Sequence, residues 1–273
     1  MPRPRLCEGG FLADLKNRRI EDNPMVLALL MKQEVGNVRM GIMYTQVMSI
    51  IVPTFNEAST IERFLESLRD RAGDAEIIVV DGSSSDDTFE LARNRSDQCL
   101  RSARGRARQM NRGAAAASGD IFWFLHADTE VPADCVQKIC DVFRNPEVVG
   151  GFFRIRIPSR RLVYRLTDSL AHYAGLILQM RFGDHGFFCR RAIFREIGGF
   201  PELPLMEDAE FFHDLRQRGR IAIISCRLTT SPRRYEQIGP WSLTVTYGII
   251  ALLYFLRVPN PILARIYRKI CLE

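Results

Sequence analysis

Several short patterns that identify common kinds of binding site are missing from this chain. No Gly-x-Gly-x-x-Gly follows the first predicted strand, which argues against a dinucleotide site of the Rossmann type. A phosphate-binding Gly-x-x-x-x-Gly-Lys-Ser/Thr loop is also absent. The seven cysteines are odd in number and include no Cys-x-x-Cys pair. We therefore expect reduced, mostly buried thiols in a cytoplasmic protein, and neither a disulfide framework nor a zinc site.

The sequence also lacks an apolar run that is long enough to cross a membrane, which needs about 20 residues. The apolar stretches at 25–31 and 241–256 have 7 and 16 residues. Four basic residues and two prolines follow the second stretch, a pattern typical of helices that lie at a membrane surface. Two interpretations remain open for residues 241–269. They attach peripherally to the inner face of a membrane, or they pack on the domain or on a second copy in a homodimer.

Charge of one sign does not dominate the chain. Its 273 residues include 38 basic and 32 acidic side chains for a net charge of +6, and 47% of the residues are apolar. This is the composition of a globular protein with a substantial core. Anionic substrates or an anionic membrane surface fit the basic excess. No arginine–aromatic stripe or known nucleic-acid motif is present, so we expect no nucleic-acid partner.

The chain is predicted to have three parts. Residues 1–47 are basic and irregular at first, and the strand-like run that starts at Met48 follows them abruptly. We interpret 1–47 as an N-terminal extension outside the fold, 48–238 as the main domain, and 239–273 as an apolar and basic helical tail. Two other interpretations of 1–47 stay open: an upstream extension of a reading frame whose start is Met48, and a short helix packed on the domain.

Strand-like and helix-like patterns alternate regularly after Met48, which is typical of right-handed βαβ units and a parallel sheet. Pro53 is expected to end the pairing of the first strand because it has no backbone N–H. The spacing Ser59-x-x-Glu62 predicts a capping box at the first helix. Strands are predicted at 49–53, 76–80, 98–101, 121–125, 150–157 and 221–225, and helices from about 59, 87, 105 and 206, with a long one at 161–180.

The fourth predicted strand carries the most informative residues. Its five apolar residues, 121–125, indicate a strand buried on both faces, and His126-Ala127-Asp128 follows directly. In open α/β sheets ligands bind at the carboxyl ends of strands. A carboxylate there suits a divalent cation, which in turn suits a diphosphate leaving group. The alternative is that Asp128 only begins a turn before Pro132.

Polar side chains follow the other predicted strands as well. Asn56 and Glu57 can hydrogen-bond a base or a ribose, and Asp81 can accept from an imide N–H or a ribose hydroxyl. Arg106 and Arg108 can hold a diphosphate. Each of these residues taken singly also fits a plain turn or a solvated helix face. Their ordered succession along the chain indicates a nucleotide site.

Three segments together resemble the nucleotide-sugar site of family-2 glycosyltransferases. They are Ile50–Glu57, Val79–Asp86 and His126-Ala127-Asp128. The resemblance extends from about Met48 to Ile238, and it implies an inverting enzyme with a GT-A fold, a Rossmann-like, mostly parallel sheet flanked by helices. Amphipathic helices are expected to follow at the C-terminus.

The resemblance also implies roles for individual residues. Asp128 would meet Mg²⁺ or Mn²⁺, although the family has Asp-x-Asp where this chain has His-x-Asp. His126 would then take over a contact with the ribose, and the chain is closest to the subgroup that shares its His-Ala-Asp. The predicted nucleotide-sugar site comprises Pro53, Thr54, Asn56, Glu57, Asp81, Gly82, Ser83, Asp86, Arg106, Arg108, Asn111, His126 and Ala127.

The second half of the domain is expected to supply the catalytic and acceptor groups. An inverting transfer needs one base for the acceptor hydroxyl, and Glu207-Asp208 resembles the family's Glu-Asp motif, with Asp208 as the base and Glu207 orienting it. Acids in a first helical turn are also favoured by the helix dipole alone. Asp184 and His185 are candidates for the sugar or acceptor, or form a plain β-turn. Arg233 or Arg234 would clamp the diphosphate.

We therefore expect a metal-assisted glycosyltransferase that moves a sugar from a nucleoside diphosphate sugar, with uridine as the expected nucleoside, to a hydroxyl acceptor. Some members of the closest subgroup act on lipid-like acceptors, so a lipid-like hydroxyl is one expectation here. Two alternatives remain: a catalytically degenerate sugar-nucleotide-binding protein, suggested by His126, and a nucleotidyltransferase, which would need an early Gly-rich phosphate loop.

Overall fold

A computed structural model describes residues 47–156, 158, 185–231 and 233–271. The chain divides into two units after Thr45, and all of the described residues belong to the second unit. The predicted helix at 161–180 and the candidate residue Asp184 lie outside the described residues. So does all but the last residue of the predicted extension at 1–47.

The described residues form one sheet of eight strands in the order β3-β2-β1-β4-β7-β6-β8-β5. The strands are β1 Met48–Thr54, β2 Glu76–Asp81, β3 Gln98–Arg101, β4 Ile121–Phe124, β5 Thr129–Glu130, β6 Val148–Arg156, β7 Phe188–Arg190 and β8 Arg220–Thr230. The helices are α1 Ile61–Ala72, α2 Thr88–Arg93, α3 Arg106–Ala116, α4 Cys135–Val142, α5 Arg191–Glu196, α6 Glu207–Gln217, α7 Arg233–Ile238, α8 Pro240–Phe255 and α9 Asn260–Cys271.

The two halves of the sheet are paired differently. Strands β3, β2, β1 and β4 are parallel throughout, as the alternation of strands and helices predicted. Strand β7 pairs antiparallel with both β4 and β6, and β6 then pairs parallel with β8. The predicted mixed α/β architecture, with a mostly parallel sheet flanked by helices, is confirmed. The carboxyl ends of β1 and β4 consequently open at the same edge of the sheet.

The apolar runs of the central strands are continuous because both faces of the sheet are covered. Side chains alternate between the faces: Ile50 and Trp123 belong to one core cluster, and Ile51, Phe122 and Phe124 belong to the other. All five are at most 3% exposed. Burial of each such side chain stabilises the fold by about 1.5–3 kcal/mol, so these strands form a rigid platform for the loops that follow them.

Aromatic rings tie helix α6 to the central strand. Phe211 of α6 stacks on Phe200 with 4.0 Å between ring centroids, and Phe200 meets Phe124 of β4 edge-to-face at 4.9 Å. Phe194 of α5 completes the cluster, 5.4 Å from Phe124. Such ring pairs add about 0.5–1.5 kcal/mol each beyond burial. They fix the direction in which α6 leaves the core.

Two local predictions about β1 and α1 are wrong. Helix α1 begins at Ile61 with Thr60 at its cap and, within the described residues, no side-chain cap bond. The Thr60 hydroxyl donates instead to Glu57 Oε2 at 2.9 Å, so Ser59 and Glu62 form no capping box. Strand β1 does not end at Pro53 either, because pairing with β2 continues through Thr54. The missing N–H of Pro53 points toward β4, whose pairing with β1 has already ended at Ile51.

The described cysteines are all free, as predicted. Only Cys135 and Cys189 are fully buried, whereas Cys99, Cys140, Cys226 and Cys271 are half-buried, so the expectation of mostly buried thiols holds in part. Burial raises the pKa of Cys99 to about 12. This thiol therefore stays protonated at neutral pH.

The C-terminal helices pack on the domain. Ile250 of α8 and Leu263 of α9 form a small core with Met206 and Ala209 at the start of α6. Helix α9 is amphipathic, as predicted, but α8 is apolar on its outer face too. The outer face of α8, taken with the residue that caps its end, comprises Trp241, Val245, Ile249, Leu252, Phe255 and the cap residue Leu256, each between 42% and 62% exposed. Among the described helices, none combines the length and the apolar character that crossing a membrane demands.

Candidate active site

A cleft of about 780 Å³ opens beyond the carboxyl ends of β1 and β4. Its first side, which we call the strand-end wall, consists of Pro53, Thr54, Phe55, Glu57, Arg106, Gln109, His126, Ala127 and Asp128. Its second side, the helical wall, consists of Thr230, Ser231, Arg233, Tyr235, Gln237, Ile238, Ser242, Tyr247, Ile270 and Cys271. The strand-end wall follows the predicted strand ends, whereas the helical wall comes mostly from α7, α8 and α9.

The predicted metal residue Asp128 lies at the mouth of the cleft. Its side chain is exposed, and His126 beside it is half-buried. The described residues contain no group of three or more potential ligand side chains. A single accessible carboxylate fits a cation of the Mg²⁺ kind, which is commonly held by one or two carboxylates together with substrate phosphates. The donor chemistry of this wall therefore suits a cation that is shared with a bound phosphate group.

Arg233 joins the two walls across the cleft. Its guanidinium contacts both carboxylate oxygens of Glu57, with Nη2–Oε1 at 2.9 Å and Nη1–Oε2 at 3.3 Å. The hydrogen bonds and charge of Glu57 raise the pKa of Arg233, and the charge of Asp128 adds to the effect. Sequence reasoning selected both residues but not their contact, since 176 positions separate them.

Three of the predicted nucleotide contacts form hydrogen bonds within the loops after β1 and β2, beside the cleft. They are Asp81, Asn56 and Asp86. The buried Asp81 accepts from the hydroxyl of Ser84 and, at 3.0 Å, from its amide. Asn56 Oδ1 accepts from the amide of Ser85 at 2.9 Å. None of the three lies on the cleft walls of the described structure, and Gly82 and Ser83 do not either. Their contacts with a nucleotide remain predictions.

Asp86 is held by hydrogen bonds from two elements. Its carboxylate accepts from the amide of Ala58 at 3.1 Å and from the hydroxyl of Thr88 at 2.5 Å. Slight desolvation raises the pKa of Asp86, but these hydrogen bonds outweigh it and lower the pKa below its ordinary value. In this structure Asp86 therefore organises the first two loops.

Gln109 is a cleft residue that sequence reasoning missed. Its buried amide donates to the carbonyls of Thr54 and Val80, both at 2.8 Å, and so ties together the carboxyl ends of β1 and β2. A Cβ atom at Gly82 would lie 3.0 Å from the Gln109 side chain, which explains the glycine at that position. The buried Thr54 hydroxyl beside it has no partner among the described residues. No local pattern marks a glutamine in the middle of a helix as a bridge between strands.

The three candidate residues of α3 separate in the structure. Arg106 lies in the strand-end wall, with Nη1 3.9 Å from Glu207 Oε1. Arg108 is not a wall residue of the cleft in the described structure, and it pairs with Glu202 at 2.7 Å, so its contact with a diphosphate remains a prediction. Asn111 also lies elsewhere and exchanges hydrogen bonds of 2.7 and 2.9 Å with the backbone of Phe200. A helix turns by about 100° per residue, so positions 106 and 108 point in nearly opposite directions.

The candidate catalytic pair lies behind the strand-end wall. Glu207 and Asp208 begin α6 and are 6% and 5% exposed. Asp208 Oδ1 accepts from the amide of Ala209 at 2.8 Å. Neither is a wall residue in the described structure, and the contact of Arg106 with Glu207 links the pair to the cleft.

The remaining candidates are placed as follows. His185 is half-buried, with Nδ1 2.9 Å from the carbonyl of Phe153 and its ring against Phe152, so it contacts β6. Arg234 lies in α7, one residue after Arg233. The loop at 198–201 precedes α6 as predicted. Roles of His185 and Arg234 toward a sugar or diphosphate remain predictions.

Comparison with known proteins decides the family. The profile described as "Glycosyl transferase family 2" matches residues 49–198, which is more than half of the chain. The chain belongs to this family. It is also 33% identical over 215 residues to a PGL/p-HBAD biosynthesis glycosyltransferase of Mycobacterium bovis, covering 74% of this chain and 82% of that protein. The chain is therefore a member of the glycosyltransferase family that the three sequence segments predicted.

Solved structures support the fold of this glycosyltransferase. A mannosyltransferase from Pyrobaculum calidifontis, in complex with GDP-Man and Mn²⁺, superposes with a TM-score of 0.58 at 21% identity, over 82% of this chain and 70% of that one. Glucosyl-3-phosphoglycerate synthase from Mycobacterium tuberculosis, in complex with Mn²⁺ and UDP, gives 0.56 at 21% identity, over 79% and 82%. The predicted GT-A fold is confirmed.

Some relatives of this glycosyltransferase are longer than the matched region. The chain covers 66% of an uncharacterised protein of Mycobacterium tuberculosis, at 26% identity, and 36% of an uncharacterised glycosyltransferase of Nostoc, at 30% identity. It thus spans less than two thirds of the length of these two proteins.

Proposed function

We propose that the protein transfers a sugar from a nucleoside diphosphate sugar, with uridine as the expected nucleoside, to a hydroxyl acceptor. The observation that carries the proposal is the meeting of Asp128, Arg106 and Arg233 at one cleft. A carboxylate for a cation and two guanidinium groups for phosphate oxygens suit a diphosphate leaving group. The complexes of the two solved relatives, with GDP-Man and with UDP, support this class of donor.

Asp128 is the proposed protein ligand of Mg²⁺ or Mn²⁺. Its exposed carboxylate can bind the cation while the donor's phosphate oxygens complete the coordination. When bound, the cation neutralises charge on the diphosphate. The presence of Mn²⁺ in both relatives supports a divalent cation here. His126 then contacts the ribose, as the Asp-x-Asp comparison implies.

The remaining strand-end residues are proposed to bind the nucleotide. The buried hydroxyl of Thr54, which has no partner among the residues that the structure describes, is available to a ligand in the cleft. Arg233 already carries a carboxylate partner, so phosphate oxygens of the donor replace Glu57 at its guanidinium. Glu57, thus released, becomes available to a ribose hydroxyl. Asp81 beside the cleft would receive the base.

The proposed chemistry is a single displacement with inversion. Asp208 accepts the proton of the acceptor hydroxyl, whose oxygen bonds to the anomeric carbon while the bond from that carbon to the diphosphate breaks. Attack from the side opposite the leaving group inverts the configuration. Glu207 orients the base, and Arg106 and Arg233 donate to the departing diphosphate. His185 is the proposed contact with the sugar or acceptor, and Arg234 is the second candidate for the diphosphate.

The acceptor is proposed to be a lipid-like hydroxyl compound at the cytoplasmic face of a membrane. The outer face of α8 is apolar, and basic residues at 257, 265, 268 and 269 flank it. An apolar helix face with basic residues beside it is typical of helices that bind an anionic membrane surface. A homodimer through the same face is the competing arrangement.

The first experiment is calorimetric titration of the full chain with UDP, GDP and CDP, each with and without Mn²⁺. We expect Mn²⁺-dependent binding of one nucleotide, and Asp128→Ala should weaken that binding about 10²-fold, because the cation loses its carboxylate. Asp141→Ala, which removes an exposed acid that is not a wall residue of the cleft, is the matched control. If the folded wild type binds none of the three nucleotides, the proposal is wrong.

A further inference from the structure

The segment that begins α6 has little local support of its own. Met206, which precedes Glu207, has a φ of 65°, and a side chain in this left-handed conformation costs about 1–3 kcal/mol. In the described structure the helix has no side-chain cap at Met206. Such a conformation persists only where its surroundings hold it. The contacts that hold it therefore also decide where Glu207 and Asp208 lie.

Two side chains of the C-terminal helices form hydrogen bonds with this segment, one before the catalytic pair in sequence and one after it. Asn260, the first residue of α9, accepts from the amide of Leu205 at 3.3 Å and donates to the carbonyl of the same residue. Tyr254 of α8 donates to Glu210 Oε1 at 2.6 Å. One contact lies two residues before Glu207 and the other two residues after Asp208.

Apolar packing supports the segment in addition to these hydrogen bonds. Met206 and Ala209 are 4% and 2% exposed, and the residues that cover them include Ile250 of α8 and Leu263 of α9. Leu263 itself is fully buried. On the far side, Phe211 is held in the aromatic cluster by Phe200. The start of α6 is thus clamped between the main core and the C-terminal helices.

We propose that Asn260 and Tyr254 are positioning residues for the Glu207-Asp208 pair, so that α8 and α9 are a working part of the active site. The proposal rests on the proposed function of that pair. Neither side chain is a wall residue of the cleft, so neither is expected to touch the nucleotide. Their effect should appear in turnover and leave the binding of the donor unchanged.

The test compares Asn260→Ala, Asn260→Asp and Tyr254→Phe in the full chain. Turnover is measured as Mn²⁺-dependent hydrolysis of UDP-glucose or GDP-mannose, whichever the wild type cleaves. Displacement of a catalytic group by about 1 Å can cost about 10²-fold in rate, so we expect kcat to fall by up to that factor in Asn260→Ala. Asn260→Asp keeps the acceptor for the Leu205 amide and should recover part of the loss. KM and nucleotide affinity should stay within about twofold.

Amide hydrogen exchange of residues 205–210 gives a second readout that needs no turnover. Exchange there should speed up in Asn260→Ala while residues 48–54 of β1 keep the wild-type rate. Thr246→Val is the matched control, because it removes a buried hydroxyl of α8 that donates to the carbonyl of Ser242 in the same helix.

The outcomes separate this proposal from the proposed function. If the wild type binds no nucleotide, the proposed function is refuted. The exchange experiment still tests whether Asn260 and Tyr254 hold the start of α6 in place. Wild-type kcat in both Asn260→Ala and Tyr254→Phe overturns the positioning role. So does unchanged exchange at 205–210, or an equal loss of kcat in Thr246→Val. The near-isosteric Tyr254→Phe keeps the test valid if Asn260→Ala does not fold.

Discussion

The two walls of the cleft differ in how the chain builds them. The strand-end wall comes from β1, β4 and α3, and most of its polar residues, apart from Arg106 and Gln109 of α3, belong to or follow the apolar runs of β1 and β4. The helical wall comes from the end of β8 and from α7 to α9, whose side chains reach the cleft only because those helices pack on the domain. The first wall follows from local rules, whereas the second depends on contacts between distant segments. We therefore expect the first wall, together with Arg233, to serve the donor, and the rest of the second wall to be adapted to the acceptor.

The largest expected effect is that of Asp208→Asn. It tests whether this buried residue, which belongs to neither wall, performs the chemistry. Loss of a general base typically costs about 10²–10⁴-fold in rate, so kcat should fall by about 10³-fold. Nucleotide affinity should not change, since Asp208 is not a wall residue. Stopped assays of donor hydrolysis, paired with calorimetry, measure the two quantities separately. Asp214→Asn on the same helix is the control, and full activity of Asp208→Asn would remove it from the mechanism.

The next effect concerns the strand-end wall and its buried bridge. Gln109→Leu removes two hydrogen bonds and leaves the carbonyls of Thr54 and Val80 without that donor. The Thr54 carbonyl keeps its bond from the Gly82 amide at 2.9 Å, so the cost is mainly that of the two lost hydrogen bonds. Each such bond contributes about 0.5–1.5 kcal/mol, so urea unfolding should show a loss of about 1–3 kcal/mol. Gln137→Leu, which removes an exposed bond to Asp141 within α4, should cost far less. Equal losses in the two variants would show that Gln109 is no special bridge.

The outer face of α8 gives a smaller, separable effect. Leu252→Glu replaces an apolar side chain that is 57% exposed and should weaken binding to phosphatidylserine-containing vesicles about tenfold, or by about 1.4 kcal/mol. Ile223→Glu changes an apolar residue on β8 that is 51% exposed and should leave vesicle binding unchanged. Co-sedimentation checks both. If Leu252→Glu instead converts a dimer to a monomer in the absence of lipid, the face binds a second copy.

Sequence patterns predicted the elements that position the strand-end wall nearly to the residue. The apolar runs of β1, β2 and β4 are buried on both faces, so their composition alone marks them. Sequence patterns did not give the direction or the partner of individual side chains. Arg108 pairs with Glu202 because helical geometry separates it from Arg106. The Thr60 hydroxyl bonds to Glu57 in place of the capping box that was expected at Ser59. Similarly, the apolar residues of α8 do not show from the sequence which of its faces packs on α6.

The smallest expected effect is a pH dependence of the unfolding free energy. It arises at the amino end of β2, which is the end away from the cleft. Glu76 accepts hydrogen bonds from Ser49 at 2.5 Å, from Gln98 at 2.9 Å and from the amide and hydroxyl of Ser118 at 2.9 Å. Partial burial raises the pKa of Glu76, but these bonds outweigh it and lower the pKa below its ordinary value of 4.5.

The sign of the effect follows from that direction. An acid whose pKa is lower in the folded state contributes stability above its unfolded pKa, and the contribution disappears as the pH falls through the folded value. Glu76→Gln should therefore flatten the decline of the unfolding free energy below about pH 4.5, when urea unfolding is measured from pH 6 down to pH 3. Asp120→Asn is the control, since Asp120 is an exposed acid near the same edge. Because Glu76 lies at the amino end of β2, away from both walls, nucleotide binding by Glu76→Gln at neutral pH should match the wild type. A loss of binding would mean that the stability of the sheet and the geometry of the strand-end wall are coupled through β2.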